Sequence, residues 1–279
     1  MCFLISHFFL TFAPKSARVM KIKEIIDALE RFAPLPLQDS YDNAGLQLGL
    51  TGTEATGALL CLDVTEDVLD EAEALGFNLV VSHHPLIFQG LKSLTGRTYV
   101  ERCAMKAICN GITLYAAHTN LDNALGGVSF KMAEKIGLKD VQVLQPFEDG
   151  RLGGSGVIGC LEEPETETDF LRRVKKIFEV ASVRYNRLCG REIRKVALCG
   201  GAGAFLIPQA LCTGADVFLT GEIKYHEFQG HDDDILLASL GHFESEQYTI
   251  ELLEQIIKEA CPQLPIQPTR VNTNPIRYM

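Results

Sequence analysis

Four of the chain's seven histidines lie in three short stretches that are far apart in sequence. The stretches are Ser-His-His-Pro at 82–85, His-Thr-Asn-Leu-Asp at 118–122 and Gly-His-Phe-Glu-Ser-Glu at 241–246. Imidazole and carboxylate are ligands that borderline divalent metals prefer. Each stretch follows an apolar run that is typical of a buried strand, so three strand ends could converge on one site. The pattern predicts a metal centre.

The first stretch places two histidines side by side. His83 and His84 follow the run Asn-Leu-Val-Val-Ser, and Pro85 ends the strand because proline supplies no backbone donor. Adjacent strand residues point to opposite faces, but the pleat is lost where a strand enters a loop, so both imidazoles can face one cavity. There they would bind different ions or two sides of one ion. The alternative is a pair of hydrogen-bonded structural histidines.

The second stretch offers an imidazole and a carboxylate. His118 ends an apolar run, and Asp122 lies in the polar turn that follows. Asp122 can bind a metal through a carboxylate oxygen, or it can cap a helix that starts near Leu125. His118 can be a metal ligand, a partner of a ligand or a proton shuttle.

The third stretch spaces a histidine and a carboxylate four residues apart. His242 and Glu246 share one face if the predicted helix Glu246–Ala260 extends that far back, and the helix dipole favours a carboxylate there. The alternative is a capping cluster, since Glu244 and Ser245 are ordinary residues at a helix start. Together the three stretches supply five nitrogen and oxygen ligands, which exceeds a four-coordinate structural zinc site. We therefore expect two ions, drawn from zinc, iron, manganese, cobalt or nickel.

Composition indicates a soluble globular chain. Its 279 residues can bury the core of one large or two modest α/β domains. The excess of 36 acidic over 26 basic residues argues against a surface built to neutralise nucleic-acid phosphates. The nine cysteines include no Cys-x-x-Cys pair and mostly sit in apolar runs, which fits buried thiols in a reducing cytoplasm.

The apolar segment at 2–13 lacks the basic residues of a signal peptide and is too short to span a membrane. We interpret residues 1–19 as an extension outside the core. No membrane association is expected.

From Met20 onward, strand-like and helix-like runs alternate, which predicts an α/β fold. The acidic stretch at 162–167 predicts looser chain between two series of elements. The Pro-rich tail at 262–268 predicts an edge strand. The predicted strands lie at 57–63, 78–82, 113–117, 155–160, 195–199, 216–220 and 235–240, and the predicted helices at 66–75, 98–110, 127–136, 167–180, 205–213 and 246–260.

Six ordered motifs give residues 20–279 a resemblance to the NGG-interacting-factor-three-like dinuclear-metal proteins, also called GTP cyclohydrolase 1 type 2 homologues. The motifs are Tyr41-Asp-Asn-Ala-Gly-Leu-Gln-Leu-Gly, Ser82-His-His-Pro, His118-Thr-Asn-Leu-Asp-Asn-Ala, Cys199-Gly-Gly-Ala-Gly, Thr220-Gly-Glu-Ile-Lys-Tyr-His-Glu and Gly241-His-Phe-Glu-Ser-Glu. One departure is Tyr41, where the family commonly has tryptophan.

The resemblance implies a two-metal site with one bridging carboxylate, in the cleft between two intertwined α/β lobes. The first lobe would comprise residues 20–125 with 235–279, and the second residues 126–234. The resemblance also implies a homohexameric toroid. It places the metal ligands at His83, His84, Asp122, His242 and Glu246, and it places His118 and His226 on the cavity wall, where either could move protons.

Two further segments could hold an anion. The run Cys199-Gly-Gly-Ala-Gly is typical of a close strand-to-helix turn, although a phosphate could also bind at such a helix start. Lys224, Tyr225 and His226 form a second candidate set for an anionic or polar ligand, or else a solvated loop.

The leading functional hypothesis is a metal-dependent hydrolase that acts on a nucleotide or another phosphate-containing substrate. The family name points to GTP ring opening, but the motifs contain no purine pocket. The alternative is a non-enzymatic scaffold for metal binding, metal delivery or regulation.

Overall fold

The computed structural model describes residues 20–279. The predicted extension at 1–19 lies outside this range. No helix within the described part of the chain is long and apolar enough to cross a membrane.

Two sheets organise the described residues, one with five strands and one with six. The strands are β1 (Gly45–Leu48), β2 (Ala58–Cys61), β3 (Leu79–Ser82), β4 (Thr113–Ala116), β5 (Lys139–Pro146), β6 (Gly154–Thr166), β7 (Arg184–Tyr185), β8 (Glu192–Cys199), β9 (Val217–Thr220), β10 (Leu236–Ser239) and β11 (Ile266–Pro268). The α-helices are α1 (Ile22–Phe32), α2 (Glu66–Leu75), α3 (Tyr99–Cys109), α4 (Thr119–Asp122), α5 (Val128–Ile136), α6 (Glu167–Ile177), α7 (Ile207–Cys212), α8 (His242–Glu246) and α9 (Thr249–Ala260). The α/β class is confirmed.

The first sheet has the order β1-β4-β3-β2-β11. Strands β11, β2, β3 and β4 are parallel, and β1 pairs antiparallel with β4. Every residue of β2, β3 and β4 is buried, which explains why these strands are continuous apolar runs in the sequence. Their carboxyl ends meet at one edge of the sheet, where the chain continues into Asp63, His83 and His118.

The second sheet has the order β5-β6-β8-β9-β10-β7. Its central strands β8, β9 and β10 are parallel, and their carboxyl ends lead into Gly200, Gly221 and Gly241. His242 follows directly. In each sheet, therefore, motif stretches follow the carboxyl ends of parallel strands at one edge.

Two helices connect the sheets. Helix α9 follows a strand of the second sheet, yet Leu253 and Ile257 pack with Ile25 of α1 in the core of the first sheet. Helix α5 begins with Val128 in that core and continues with Met132 in the core of the second sheet. The chain thus crosses between the sheets more than once, as the intertwined arrangement requires.

Most predicted elements are confirmed, including the edge strand in the Pro-rich tail, which is β11 beside β2. The prediction of looser chain at 162–167 is wrong. Strand β6 continues through it beyond a bulge, where Glu165 and Thr166 pair with β8. Arg173 of α6 also binds the Glu165 carboxylate and neutralises part of the acidic run. The helix predicted at 246–260 is confirmed as α9 over Thr249–Ala260, but it begins three residues later, because residues 247–248 form a turn between α8 and α9.

Sheet membership differs from the predicted lobe boundary at one strand. Residues 235–279 are predicted in the first lobe, but β10 pairs with β9 and β7 in the second sheet. The return to the first sheet begins after this strand, with α9 and β11. The lobe division itself stays a prediction.

Candidate metal centre

The three motif stretches converge at the facing edges of the two sheets. His83 and His84 follow β3, and their backbone N–H groups extend the parallel ladder to the carbonyls of Cys61 and Leu62 at 3.1 and 2.9 Å. Asp122 ends the short helix α4 beyond β4, and α8 follows β10 with His242 and Glu246. Ligand atoms of His83, His84 and Glu246 lie within 4.8 Å of one another.

The carboxylate of Glu246 lies at the centre of the cluster and is only 3% exposed. Its Oε2 atom is 3.0 Å from His84 Nε2 and 3.2 Å from His242 Nε2. Its other oxygen, Oε1, is 3.6 Å from His83 Nε2. The two oxygens therefore face different histidines. The short His242 to Glu246 distance confirms that the i, i+4 pair shares one helix face.

His83 and Asp122 each contribute a buried atom with no hydrogen-bond partner among the described residues. These atoms are His83 Nε2 and Asp122 Oδ1, which lie 3.6 Å apart. That separation is too long for a hydrogen bond, and leaving buried polar atoms unpaired is costly. Ligand bonds of about 2.0–2.2 Å place two ligands of one ion roughly 3–4 Å apart, so both atoms fit a shared metal.

The three histidines of the cluster are each fixed through the other ring nitrogen. His83 Nδ1 lies 2.7 Å from the Ala117 carbonyl oxygen, His84 Nδ1 lies 2.8 Å from Asp63 Oδ1, and His242 Nδ1 lies 3.0 Å from Glu222 Oε1. Each Nδ1–H donates to the oxygen. This pattern is typical of metal-binding histidines, because it leaves each Nε2 lone pair directed at the ion.

The electrostatics of the cluster favour positive charge at its centre. Burial disfavours ionisation of Glu246, but the surrounding imidazoles outweigh it and hold the pKa of Glu246 well below its ordinary value. Burial likewise acts against protonation of His84, but hydrogen bonds to Asp63 and Glu246 raise its pKa to about 10. The same balance, led by Glu246, raises the pKa of His242 to about 9. A bound cation would replace these protons.

Two of the cavities that reach the cluster differ in size and lining. The larger has a volume of about 420 Å³ and an apolar wall that includes Phe88, Phe243 and Pro275. The smaller has a volume of about 190 Å³ and is lined by Asp122 and Glu246 among others. Both are lined by His118 and His242. A small molecule in either cavity would contact the cluster.

His118 lies beside the cluster rather than within it. Its ring centroid is 5.4 Å from that of His83 and 5.5 Å from that of His84. His118 Nδ1–H donates to Asp42 Oδ1 at 2.7 Å, which leaves Nε2 available to the cavities. Asp42 also accepts hydrogen bonds from Thr119, and despite burial these bonds and His118 lower the pKa of Asp42 to about 2. His118 is therefore held in one orientation by a carboxylate.

The profile of the Duf34/NIF3 (NGG1p interacting factor 3) family matches residues 20–275. The chain belongs to this family. A relative in Lactococcus lactis, named GTP cyclohydrolase 1 type 2 homolog, is 34% identical over 264 residues, which cover 92% of this chain and 98% of that protein.

Solved structures agree with this assignment. The hypothetical protein SA1388 of Staphylococcus aureus is 29% identical with a TM-score of 0.86, and the match covers 94% of this chain and 100% of that one. A Bacillus cereus protein related to NIF3 is 26% identical with a TM-score of 0.84, over the same shares of the two chains.

His226 of this NIF3-family chain, which was predicted on the cavity wall, lies away from the cluster. His226 is exposed on the 3₁₀ helix Tyr225–Phe228, and its ring contacts Tyr225. Among the described residues, the walls of the two cavities do not include His226 or Lys224. A catalytic role for His226 stays a prediction that the geometry does not support.

Sequence reasoning missed several residues that position the candidate metal ligands of this NIF3-family chain. Asp63 and Glu222 orient His84 and His242, and each lies just beyond the carboxyl end of a parallel strand. That position is a usable signal, because such strand ends meet at the same edge as the histidines. Thr273 adds a contribution from the C-terminal segment, since its hydroxyl donates to Asp63 Oδ2 at 3.0 Å.

The glycine motif at 199–203 forms a close turn against Glu246. Gly201 has a φ of +60°, and a Cβ atom there would overlap Glu246 Oε1. Its backbone N–H donates to Ser245 Oγ at 2.9 Å. The expected close turn is confirmed, and its absent side chain makes room for the central carboxylate.

We expect Gly201→Ala to weaken metal binding by on the order of tenfold to a hundredfold, because the new methyl group displaces Glu246. Competition with a chromophoric chelator measures this affinity. Gly214→Ala is a matched control, since Gly214 has a similar φ of +67° but open space at its Cβ position. Equal losses in both variants would attribute the effect to backbone strain and contradict the role given to Gly201.

Thr273→Val should weaken metal binding at His84 by up to about tenfold, because Asp63 loses the hydroxyl group that holds it in place. The d–d absorption of the cobalt-loaded protein should shift as the imidazole reorients. Thr269→Val is the control, since Thr269 lies in the same segment but binds Glu71 instead. An unaltered cobalt spectrum in Thr273→Val would refute this coupling.

Proposed function

We propose that the chain binds two divalent ions that share Glu246 as a bridging ligand. His83 Nε2, Asp122 Oδ1 and Glu246 Oε1 would hold one ion. His84 Nε2, His242 Nε2 and Glu246 Oε2 would hold the other. The observation that carries this proposal is the division of the Glu246 oxygens, with Oε1 facing His83 and Oε2 facing His84 and His242.

The donor set supports this assignment. It contains imidazole nitrogens and carboxylate oxygens, which suit zinc, iron, manganese, cobalt or nickel. With three protein ligands each, both ions would keep positions for water or substrate, as catalytic rather than closed structural sites do.

We further propose that the protein is a metal-dependent hydrolase acting on a nucleotide or another phosphate-containing substrate. Relatives in Lactococcus lactis and Clostridium perfringens carry the name GTP cyclohydrolase 1 type 2 homolog, which suggests this class. When bound, an ion of this kind would lower the pKa of its water from 15.7 to about 7 and would so supply hydroxide at neutral pH.

His118 is the residue best placed to move a proton during this reaction. It lines both cavities beside the cluster, and Asp42 fixes its Nδ1 as the donor nitrogen. Nε2 is then left to accept a proton from the nucleophile or to return it to the leaving group. The walls of the cavities would orient the substrate, and their apolar residues would exclude water.

Elemental analysis of protein purified without chelator should give two ions per chain. Glu246→Ala should lose both, because each proposed half-site loses a ligand. Asp122→Ala and His242→Ala should each lose mainly one, since each belongs to a single half-site. His226→Ala is the control and should retain both ions. Loss of both ions from Asp122→Ala or from His242→Ala would contradict the assignment of these ligands to separate ions.

His118→Ala should lower kcat by roughly 10²–10⁴-fold with both ions retained, as expected for loss of a general acid or base. Asp42→Asn should lower it less, because the imidazole remains but its orientation is lost. Turnover is measured on the nucleotide or phosphoester that a broad panel identifies. A metal-loaded protein with no turnover on the panel would favour the non-enzymatic scaffold instead.

The homohexamer and the cytoplasmic location stay predictions. Light scattering of the purified protein tests the first, since a monomer or simple dimer would contradict a toroid.

A further inference from the structure

A third hollow beside the candidate metal centre has an arginine in its wall. Its volume is about 350 Å³, and its wall includes Arg184, Ser182 and Tyr278. It shares Glu222, His242 and Ile276 with the larger of the two cavities described above. The two spaces therefore meet at His242, one of the metal-cluster residues. We call this space the Arg184 hollow.

The fold fixes Arg184 close to the cluster. Arg184 lies on the edge strand β7, where it pairs with Ser239 at the end of β10. His242 follows Ser239 by three residues. Arg184 Nη2–H donates to Ser239 Oγ at 2.9 Å, and Ser239 Oγ donates in turn to the Gly221 carbonyl at 2.8 Å. The guanidinium is thereby held at the wall of the hollow.

The charge of Arg184 is available to a ligand. Within residues 20–279, Arg184 has no carboxylate within ion-pair distance, whereas nearby Arg187 is paired with Asp233. The hydroxyl groups of Ser182 and Tyr278 also lack hydrogen-bond partners within that range. The carboxylate in the wall, Glu222, accepts the Nδ1–H of His242 and is partly compensated by it.

We infer that the Arg184 hollow binds the oxyanion group of the substrate, a phosphate or a carboxylate, while the reacting bond lies at the metal cluster. This inference rests on the proposed hydrolase function and adds the recognition of an anionic group to it. A guanidinium presents a planar set of donors that matches two oxygens of such a group, and the nearby hydroxyls can donate to a third.

The position of Arg184 gives it a role in specificity. A substrate that spans from the hollow to the cluster is oriented by two contacts at once, so an analogue without the oxyanion would bind less tightly and less productively. Lys224 was the basic residue that the sequence suggested for an anion, but it lies outside the walls of the hollow and of the two cavities. We therefore assign the contact with the anionic group to Arg184 rather than to Lys224.

Binding of inorganic phosphate, measured by isothermal titration calorimetry on metal-loaded and metal-free protein, tests the inference. Arg184→Ala should weaken phosphate binding by about tenfold or more in both forms, the loss expected for charge-assisted hydrogen bonds. Arg184→Lys should retain part of the affinity, because it keeps the charge without the planar donors. Metal content should remain that of the wild type, which also shows that the variants fold.

Arg187→Ala is the matched control, since it removes a nearby arginine that is already paired, and it should bind phosphate as the wild type does. Equal phosphate affinity in wild type and Arg184→Ala, or no phosphate binding by the wild type, would overturn the inference. A protein that takes up no metal but binds phosphate through Arg184 would support phosphate binding in the hollow and refute the proposed function. A metal-loaded, active protein whose Arg184→Ala variant binds phosphate as tightly as the wild type would refute phosphate binding in the hollow and leave the proposed function standing.

Discussion

A buried carboxylate that needs positive charge around it is the constraint on which the rest of this structure depends. Glu246 is almost completely removed from solvent, and an isolated buried charge is strongly unfavourable. Three imidazoles surround it, and they come from two different sheets. The carboxylate therefore joins the sheets electrostatically, whether the compensating charge is carried by protons or by metal ions. Every element that brings the two sheet edges together also contributes to stabilising this one group.

The topology of the sheets explains why the cluster can form at all. In each sheet, parallel strands end at a common edge, and short polar segments follow those strand ends. The two edges are kept facing one another by helices that pack in both cores, with Val128 and Met132 of α5 belonging to different clusters. Because a ligand set drawn from two sheets is only as precise as their relative placement, these apolar contacts determine the geometry of the polar centre.

Much of the fold was predictable because buried parallel strands are continuous apolar runs, and helix α2 was predicted at its observed bounds. The ligand stretches were predictable because histidines follow those runs. The partner of each Glu246 oxygen was not, since it depends on how one sheet faces the other. Arg184 was missed for the same reason: its strand is two residues long, and only pairing with β10 brings it to the cluster. The acidic stretch at 162–167 was predicted as a loop because of its charges. The strand pairing with β8 and the contact with Arg173 could not be predicted from the sequence.

The separation of the proposed ligands along the chain would make the order of synthesis relevant to metal uptake. His83, His84 and Asp122 leave the ribosome well before His242 and Glu246, so the early chain offers imidazoles without the central carboxylate. The first sheet is also incomplete at that stage, because α9 and β11 come after Glu246. A complete ligand set exists only once the late segments have folded back onto the early ones. Under the proposed ligand assignment, tight metal retention would be a property of the finished molecule, and it would distinguish correctly folded chains from those that stopped part-way.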